Sequence, residues 1–379
     1  MKLVYLINSL YNSGGVERIL SQKINYLSEK FKYEILIVTT DQKKKEPFFK
    51  LNKNIKIKDL DINYSEDKNK NFFIRIPIYV LKQIKHKIKL QEIIKEYKPD
   101  VIICTGSEDK FILPKLNSHI PIVKENHFNK DHMKNYSKSK KNILYKIIFF
   151  MISWKENKFP KLYNKVVVLT EEDKKKWNNE KIEVIPNFIN YISEKVAECN
   201  NKKIISVGRL EYQKGYDILI EVWNMISKKY PDWILEIYGE GIERENLQNK
   251  IDELGLEKSF LLKGAVKNIQ DKYLESSIYV MSSRYEGMPM VLLEAMAYGL
   301  PVISFDCPCG PKDTIKDNED GFLVSFGNIA LMAEKIEELI INEEKRKLFG
   351  INSRKNVQRF SKDKIMEQWN KLFIELMEK

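Results

Sequence analysis

Two glutamates in one short segment are the strongest candidates for chemistry. Glu286 lies just before a predicted helix that begins near Pro289, and Glu294 lies inside that helix, which is otherwise nearly all apolar. A carboxylate on a buried helix needs a polar partner, and sugar hydroxyls can supply one. The start of the helix would also present the unpaired backbone N–H groups of Met290 and Val291 to a ligand.

A loop with two cations follows the first predicted strand of the second half of the chain. Within residues 206–215, SVGRLEYQKG, Arg209 and Lys214 leave the carboxyl end of that strand. Two cations there could clamp a diphosphate, and Arg can bind it bidentately. Only eight of the 65 Lys+Arg residues are Arg, so lysine is abundant in this chain. The alternative for Lys214 is therefore that it is one of many solvated surface lysines.

Glycine and histidine candidates lie in the first half of the chain. Gly14 and Gly15 separate a predicted strand from a helix, where backbone N–H groups can approach an anion; an ordinary tight turn is the alternative. His127 follows another strand, in the sequence ENHF, and a polar loop histidine is the alternative. The G-x-G-x-x-G pattern of dinucleotide-binding enzymes is missing at the first turn, which disfavours an NAD enzyme.

The sequence gives little support for a metal site. Asp59-Leu60-Asp61 has the form of a metal-binding D-x-D, but it follows an alternating basic strand and is interpreted as surface. Four scattered cysteines are typical of a protein from a reducing cytosol. No metal and no cofactor is therefore expected. The cysteines are Cys104, Cys199, Cys307 and Cys309.

Short apolar runs alternate with helix-period segments along both halves, which predicts βαβ units and parallel sheets. A length of 379 residues suits two domains. We predict an α/β protein with two Rossmann-like parallel-sheet domains facing a central cleft, where such sheets place ligands. The predicted domains are residues 1–187 and 188–361, and a helix at 362–379 is predicted to pack back onto the first domain.

Basic charge is concentrated in the first half. Residues 1–190 contain 38 Lys+Arg against 22 Asp+Glu, whereas the remainder contains 27 against 31. In residues 68–98 and 130–165 the basic residues are interleaved with aromatic and apolar ones, which suits docking on an anionic membrane surface. The alternative is that both apolar stripes face the core. Nucleic acid is disfavoured because base recognition leans on Arg.

These motifs together resemble glycosyltransferase family 4, retaining nucleotide-sugar transferases of the GT-B fold. The resemblance rests on Gly14-Gly15, Arg209 with Lys214, the E-x₇-E pair and the loop at 305–311, FDCPCGP. It covers nearly the whole chain and is strongest from Ile204 to Val324. The first half has fewer landmarks, as expected where different acceptors bind.

The resemblance implies a role for each candidate residue. Arg209 and Lys214 would hold the donor diphosphate, helped by the amides of Met290 and Val291. Glu294 would bind the ribose hydroxyls. Glu286 and His127 would be catalytic residues beside the donor sugar. Gly15 would lie at the donor phosphate, and Gly239 and Val266 would belong to the loops that bind the base.

The sequence thus predicts a retaining glycosyltransferase that moves a hexose or N-acetylhexosamine from a nucleoside diphosphate sugar, expected to be a UDP-sugar, to a glycan acceptor, expected to be lipid-linked. No segment approaches the ~20 apolar residues of a spanning helix. No signal peptide is evident, so a cytoplasmic enzyme on the inner face of the membrane is expected. A sugar-nucleotide-modifying NAD enzyme and a non-catalytic lipid- or nucleic-acid-binding protein remain the alternatives.

Overall fold

The chain folds into two compact units. A computed structural model describes residues 1–67, 70–106, 108–116, 119–131 and 143–378. The first unit comprises Met1–Leu169, Asp173–Ile185 and Ile365–Lys379. The second unit comprises Thr170–Glu172 and Pro186–Lys364.

The described part of the first unit is built on a seven-stranded parallel sheet of order β3-β2-β1-β4-β5-β6-β7. Its strands are β1 Lys2–Ile7, β2 Glu34–Thr39, β3 Lys56–Asp59, β4 Val101–Cys104, β5 Ile122–Glu125, β6 Lys165–Val168 and β7 Ile182–Val184. Its α-helices are Gly15–Lys30, Phe72–Tyr97, Ile143–Glu156, Phe159–Leu162, Glu171–Trp177 and Lys362–Met377; the first residues of the last two are assigned to the second unit. Short 3₁₀ helices are Tyr64–Asp67, Asp109–Phe111 and Leu113–Lys115.

The second unit repeats this plan with a six-stranded parallel sheet of order β10-β9-β8-β11-β12-β13. Its strands are β8 Lys203–Val207, β9 Ile234–Tyr238, β10 Phe260–Gly264, β11 Ile278–Met281, β12 Val302–Asp306 and β13 Gly321–Ser325. Its α-helices are Tyr216–Ile226, Arg244–Glu253, Ile269–Leu274, Met290–Ala297, Pro311–Thr314, Ile329–Ile341 and Glu343–Val357, with 3₁₀ helices at Tyr212–Lys214 and Gln358–Phe360.

The central strands are continuous apolar runs because helices cover both faces of each sheet. Five of the six residues of β1 are buried, and all four residues of β11 are buried. Trp223 is fully buried in the core of the second unit. The predicted α/β class with two Rossmann-like parallel sheets is confirmed.

Helix Lys362–Met377 packs on the first unit from its residue Ile365 onward. The Tyr33 hydroxyl donates a hydrogen bond to Asn370 Oδ1, and the rings of Tyr33 and Phe373 lie 6.5 Å apart. Across the described ranges, we find no helix with the combined length and apolar character that crossing a bilayer requires.

Candidate active site

Strands β8 and β11 are neighbours at the point where the strand order of the second sheet reverses. Arg209 follows β8 and Glu286 follows β11, so both predicted loops leave the same edge of the sheet. Open parallel sheets bind ligands at such a reversal point, outside the carboxyl ends of the strands. The topology therefore brings together two motifs that are far apart in the sequence.

Lys214 and Glu286 are in direct contact at this edge. Lys214 Nζ lies 2.7 Å from Glu286 Oε1, and the same oxygen accepts a hydrogen bond of 2.6 Å from Ser283 Oγ. Glu286 is only 7% exposed, and its backbone N–H donates to the carbonyl of Pro308. The carboxylate is thus buried, ionically paired and held by its own backbone.

Gly215 allows the Lys214 loop to pass against the β11 loop. It has a φ of +66°, and a Cβ added there would lie 2.2 Å from the carbonyl oxygen of Ser282. Ser282 Oγ in turn donates to the carbonyl of Lys214 at 2.9 Å. Only glycine combines this backbone conformation with so close an approach.

Arg284 ties the two loops together, a role that the sequence analysis did not assign. Its guanidinium binds Asp217 bidentately at 2.8 and 2.6 Å, donates to the carbonyl of Tyr212 at 2.7 Å and lies 4.0 Å over the Tyr212 ring. The hydrogen bonds to Asp217, above all, raise the pKa of Arg284. The scarcity of Arg in the chain was the only sequence signal for this residue.

Arg209 differs from Lys214 in its surroundings. Its side chain is 69% exposed, and its guanidinium lies 2.9 Å from Glu211 Oε1. Exposed ion pairs of this kind contribute only about 0–1 kcal/mol. Arg209 can therefore exchange Glu211 for a bound phosphate at little cost.

Helix Met290–Ala297 begins where the sequence predicted, with Pro289 immediately before it. Its first backbone hydrogen bonds run from the N–H groups of Leu292 and Leu293 to the carbonyl of Pro289. The N–H groups of Met290 and Val291 therefore precede the helical ladder, at the positive end of the helix dipole.

Glu294 is half-buried on the same helix. Its Oε2 accepts a hydrogen bond of 3.4 Å from the hydroxyl of Tyr273, a buried residue of helix Ile269–Leu274. The ring of Tyr273 stacks on Tyr298, with centroids 5.5 Å apart. The carboxylate is thus steered by a tyrosine that the sequence analysis did not single out.

The loops predicted to bind the base lie beside the β8 loop. Gly239 has a φ of +153°, and a Cβ there would lie 1.9 Å from the carbonyl oxygen of Gly208. Its N–H donates a hydrogen bond of 3.0 Å to the carbonyl of Gly264. Gly264 is two residues before Val266, whose side chain is 39% exposed. Gly239 is therefore required for the packing of three neighbouring loops.

His127 lies in the first unit, just after β5, beside a buried ion pair. Its Nε2 is 3.4 Å from Glu125 Oε1, and Glu125 binds Lys23 of helix Gly15–Lys30 at 2.5 Å. Burial lowers the pKa of His127 to about 4, so its imidazole is neutral at physiological pH. Burial opposes ionisation of Glu125, but Lys23 and then His127 outweigh it and lower the pKa of this carboxyl.

A cavity of about 590 Å³ opens beside His127 within the first unit. Gly15 itself faces open space, and the adjoining residues Val16 and Glu17 line the cavity. Carboxylates and aromatic rings share its wall, a combination that suits sugar hydroxyls and sugar faces. The residues that line it include Glu108, Lys110 and His127.

Asp59 and Asp61 have local partners. Asp59 Oδ1 accepts a hydrogen bond of 2.9 Å from Thr39 Oγ1, and Asn63 Nδ2 donates to the exposed Asp61 at 2.5 Å. Among the residues described, three or more His, Cys, Asp or Glu side chains are nowhere grouped as a metal site would require.

The family model for glycosyl transferases group 1 matches residues 189–356. An uncharacterized glycosyltransferase of Haemophilus influenzae is 31% identical over 97% of this chain and 98% of its own length. An alpha-1,4-N-acetyl-D-galactosaminyltransferase of Campylobacter jejuni, whose name gives a diNAcBac-PP-undecaprenol-linked acceptor, is 26% identical over 99% of both chains.

The fold is shared with TarM of S. aureus, solved with fondaparinux, alpha-GlcNAc-glycerol and UDP. The TM-score is 0.75 at 20% identity, and the match covers 98% of this chain and 99% of the other. At this identity the likeness shows the fold alone, two parallel-sheet α/β units of the GT-B type.

Proposed function

The chain belongs to the group 1 glycosyltransferases and is an enzyme of the glycosyltransferase class, and on that premise we propose that it is a retaining family 4 enzyme that transfers a hexose or N-acetylhexosamine from a nucleoside diphosphate sugar to a glycan. The proposed donor is a UDP-sugar, in line with the UDP bound by TarM. The proposed process is the biosynthesis of a cell-surface polysaccharide or glycan.

The contact between Lys214 and Glu286, beside the start of helix Met290–Ala297, carries this proposal. A cation and free helical N–H groups at one sheet edge suit the two phosphates of the donor. Exposed Arg209 adds a second cation. In this assignment Glu294 binds the ribose, while Gly239 and Val266 border the base.

The buried state of Glu286 favours a role beside the sugar over a role as covalent nucleophile. Lys214 and Ser283 both hold its Oε1, which lowers the reactivity of that oxygen. We therefore propose front-face attack: the acceptor oxygen bonds to the anomeric carbon as the bond to the diphosphate breaks, and the leaving phosphate oxygen takes the acceptor proton. His127 and Gly15 keep the roles at the donor sugar and phosphate that the family resemblance gives them.

Retention and metal independence have separate tests. The Campylobacter jejuni relative is named for an alpha linkage, and an alpha product from an alpha-linked UDP-sugar means retention. Proton NMR of the anomeric coupling in the product decides this, and an inverted linkage would contradict the family 4 assignment. Because Arg209, Lys214 and a helix start can neutralise the leaving diphosphate, activity should survive excess EDTA.

Thermal stabilisation by a small panel of nucleotide sugars tests the donor proposal. A ligand at 100 times its dissociation constant adds about 2.7 kcal/mol to the free energy of unfolding. We expect a UDP-sugar and free UDP to stabilise the protein. Calorimetry should then show weaker UDP binding in Glu294→Ala and unchanged binding in Glu245→Ala, an exposed control. Stabilisation by NAD alone, or by no nucleotide, would favour the alternative classes.

We propose that a lipid-linked glycan enters the cavity of the first unit from a membrane surface. Two helices border that cavity: the Tyr79 hydroxyl lies 3.4 Å from Glu108, and Lys110 lies 2.6 Å from Glu156. Tyr79 belongs to helix Phe72–Tyr97, and Glu156 ends helix Ile143–Glu156.

Helix Phe72–Tyr97 exposes an apolar stripe, defined here as residues 74, 77, 81, 84 and 88. Ile74 is 57% exposed, Leu81 67%, Ile84 54% and Ile88 52%. Spacings of three and four residues place these side chains on one face, which in a globular protein normally faces the core. Here that face is exposed. An exposed apolar face supports the membrane interpretation, whereas the alternative interpretation expects this face to be buried in the core.

The charges beside the stripe favour an anionic membrane as its partner. Residues 74–91 include Arg75, Lys82, Lys85, Lys87 and Lys89 and no acidic residue. A second copy of this helix would bring like charges together, whereas anionic head groups complement them. We therefore propose peripheral association with the cytoplasmic face of the membrane.

The second predicted membrane segment has the same character where it is described. On helix Ile143–Glu156, Phe150 is 72% exposed, and Met151 and Trp154 are each 54% exposed. Aromatic and apolar side chains at this spacing suit the boundary between head groups and acyl chains. Lys138, Lys140 and Lys141 belong to the basic segment 130–165 and lie outside the described residues.

A further inference from the structure

Lys23 is a lysine in the interior of the first unit. Its side chain is 1% exposed on the face of helix Gly15–Lys30 that also buries Ile19, Leu20, Ile24 and Leu27. Burying an ammonium is costly, and well-packed apolar residues in place of a buried ion pair are often neutral or stabilising. Burial accordingly lowers the pKa of Lys23. Stability alone does not explain the charge.

Three side chains enclose the ammonium of Lys23 and fix its position. Both carboxylate oxygens of Glu125 lie 2.5 Å from Nζ. The ring centroid of Tyr5 lies 5.3 Å away, and that of Trp369 lies 3.7 Å away. Trp369 is 2% exposed and comes from helix Lys362–Met377, so the end of the chain closes this pocket.

The same carboxylate faces the imidazole of His127. Glu125 Oε1 lies 3.4 Å from His127 Nε2, and both side chains are almost fully buried. An ionised carboxylate can only accept hydrogen bonds. His127 Nε2 lies close to Glu125 Oε1 but makes no hydrogen bond in the structure. The negative charge nearby favours a proton on Nε2, and in that tautomer Nδ1 carries no proton and can accept one hydrogen bond.

We propose that Lys23 is a positioning residue, which keeps Glu125 ionised and thereby fixes His127 as the Nε2–H tautomer with Nδ1 offered to a sugar hydroxyl. Trp369 and Tyr5 hold the ammonium beside the carboxylate of Glu125. This inference rests on the proposed function only for the identity of the hydroxyl. The arrangement of charge and tautomer belongs to the free protein.

The test compares Lys23→Met, which keeps the length and removes the charge, with Lys23→Arg, which keeps the charge. Lys30→Met, at an exposed site on the same helix, is the matched control. Nitrogen-15 NMR of His127, assigned with His127→Gln, reports its tautomer. Turnover with a UDP-sugar and calorimetric affinity for free UDP are measured on the same samples.

We expect Lys23→Met to give a mixture of His127 tautomers and a loss of about tenfold to a hundredfold in kcat, the size of loss found for residues that orient metal-bound histidines. UDP affinity should stay within about twofold, because Arg209, Lys214 and Glu294, the charged side chains proposed to bind UDP, lie in the other unit. Lys23→Arg should restore most of the turnover, and Lys30→Met should match the wild type.

Wild-type His127 nitrogen shifts and wild-type kcat in folded Lys23→Met would overturn the inference. If thermal unfolding shows that Lys23→Met does not fold, Glu125→Gln removes the other charge of the pair and is judged by the same two measurements. Absence of UDP binding in the wild type would contradict the proposed function instead, and the nitrogen shifts would still decide the role of Lys23.

Discussion

The diphosphate clamp can be tested one residue at a time because its two cations have different surroundings. Arg209→Ala removes an exposed side chain, whereas Lys214→Ala also leaves the buried carboxylate of Glu286 without its cation. Each should lower kcat/KM by about a hundredfold to a thousandfold, the loss typical of one electrostatic partner of a developing charge.

Steady-state kinetics with a UDP-sugar checks this prediction, and Lys258→Ala, an exposed lysine of the same unit, is the control. Arg209→Ala is the more decisive variant because it leaves the Lys214–Glu286 pair intact. Near wild-type turnover in that variant would remove Arg209 from the site. A loss in Lys214→Ala alone would then reflect the unpaired Glu286.

His127 should make the stability of the protein depend on pH. Burial lowers its pKa to about 4, Lys23 and Lys124 also lower it, and Glu125 acts in the opposite direction. Between the ordinary pKa of about 6.5 and this value, the unfolded chain takes up a proton that the folded chain does not. The free energy of unfolding should therefore fall as the pH drops below about 6.5. Above pH 6.5 the contribution of His127 should be constant.

Urea unfolding at pH 7.5 and pH 5 checks the sign. About 2 kcal/mol of the wild-type loss on acidification should be missing in His127→Gln, at roughly 1.4 kcal/mol for each unit of pH within that window. His119→Gln, at an exposed histidine, should lose as much as the wild type does. Equal losses in all three proteins would show that His127 is not held neutral by the fold.

Single residues could be predicted from the sequence only where local pattern and loop position agreed. Glu286 and Lys214 each follow a recognisable strand, so their meeting at one sheet edge could be anticipated. The roles of Arg284 and Tyr273 could not, since their partners Asp217 and Glu294 lie in other elements and only the folded chain brings them together.

At the scale of elements, the buried parallel strands were the most predictable because both faces of each are apolar. The sequence signal is weaker for β7, which has only three residues, and for β13, which begins with a glycine. For helix Phe72–Tyr97, apolar periodicity alone could not tell a core face from an exposed one. The structure separates them because core residues such as Leu90 are fully buried and the stripe is not.

The turn at Gly215 offers a test of how one element positions another. Gly215 and Gly255 both have a φ of +66°, but an added Cβ meets Ser282 at 2.2 Å in the first case and nothing within 4 Å in the second. Gly255→Ala should lower the free energy of unfolding by about 1 kcal/mol, which is the conformational cost alone. Gly215→Ala should lower it by on the order of 3 kcal/mol and should displace Lys214.

Urea unfolding measures the difference between the two variants, and turnover should fall only in Gly215→Ala. Similar stability losses in both would mean that the Lys214 loop can move away from β11 without cost. In that case the contact between Lys214 and Glu286 would not be fixed by this turn.

At the scale of the whole molecule, charge and exposed apolar surface coincide in the first unit. The excess of Lys over acidic residues lies in the first half of the sequence, and the stripe and the exposed end of helix Ile143–Glu156 lie there as well. Both helices border the cavity proposed for the acceptor. In the proposed arrangement the glycan enters the cavity while its lipid stays in the bilayer.

Liposome flotation tests this arrangement. Binding should require anionic lipid, because each basic residue near such a surface contributes about 1 kcal/mol of electrostatic attraction. It should weaken as added salt shortens the screening length. Leu81→Glu with Ile84→Glu should abolish it, since two carboxylates would enter the interface. Ile341→Glu with Ile351→Glu, on exposed apolar residues of the second unit, should leave it unchanged. Equal recovery with neutral and anionic vesicles, or none with either, would exclude an anionic membrane as the partner of the stripe. A change of oligomeric state in the stripe variant would instead point to a second copy of the chain.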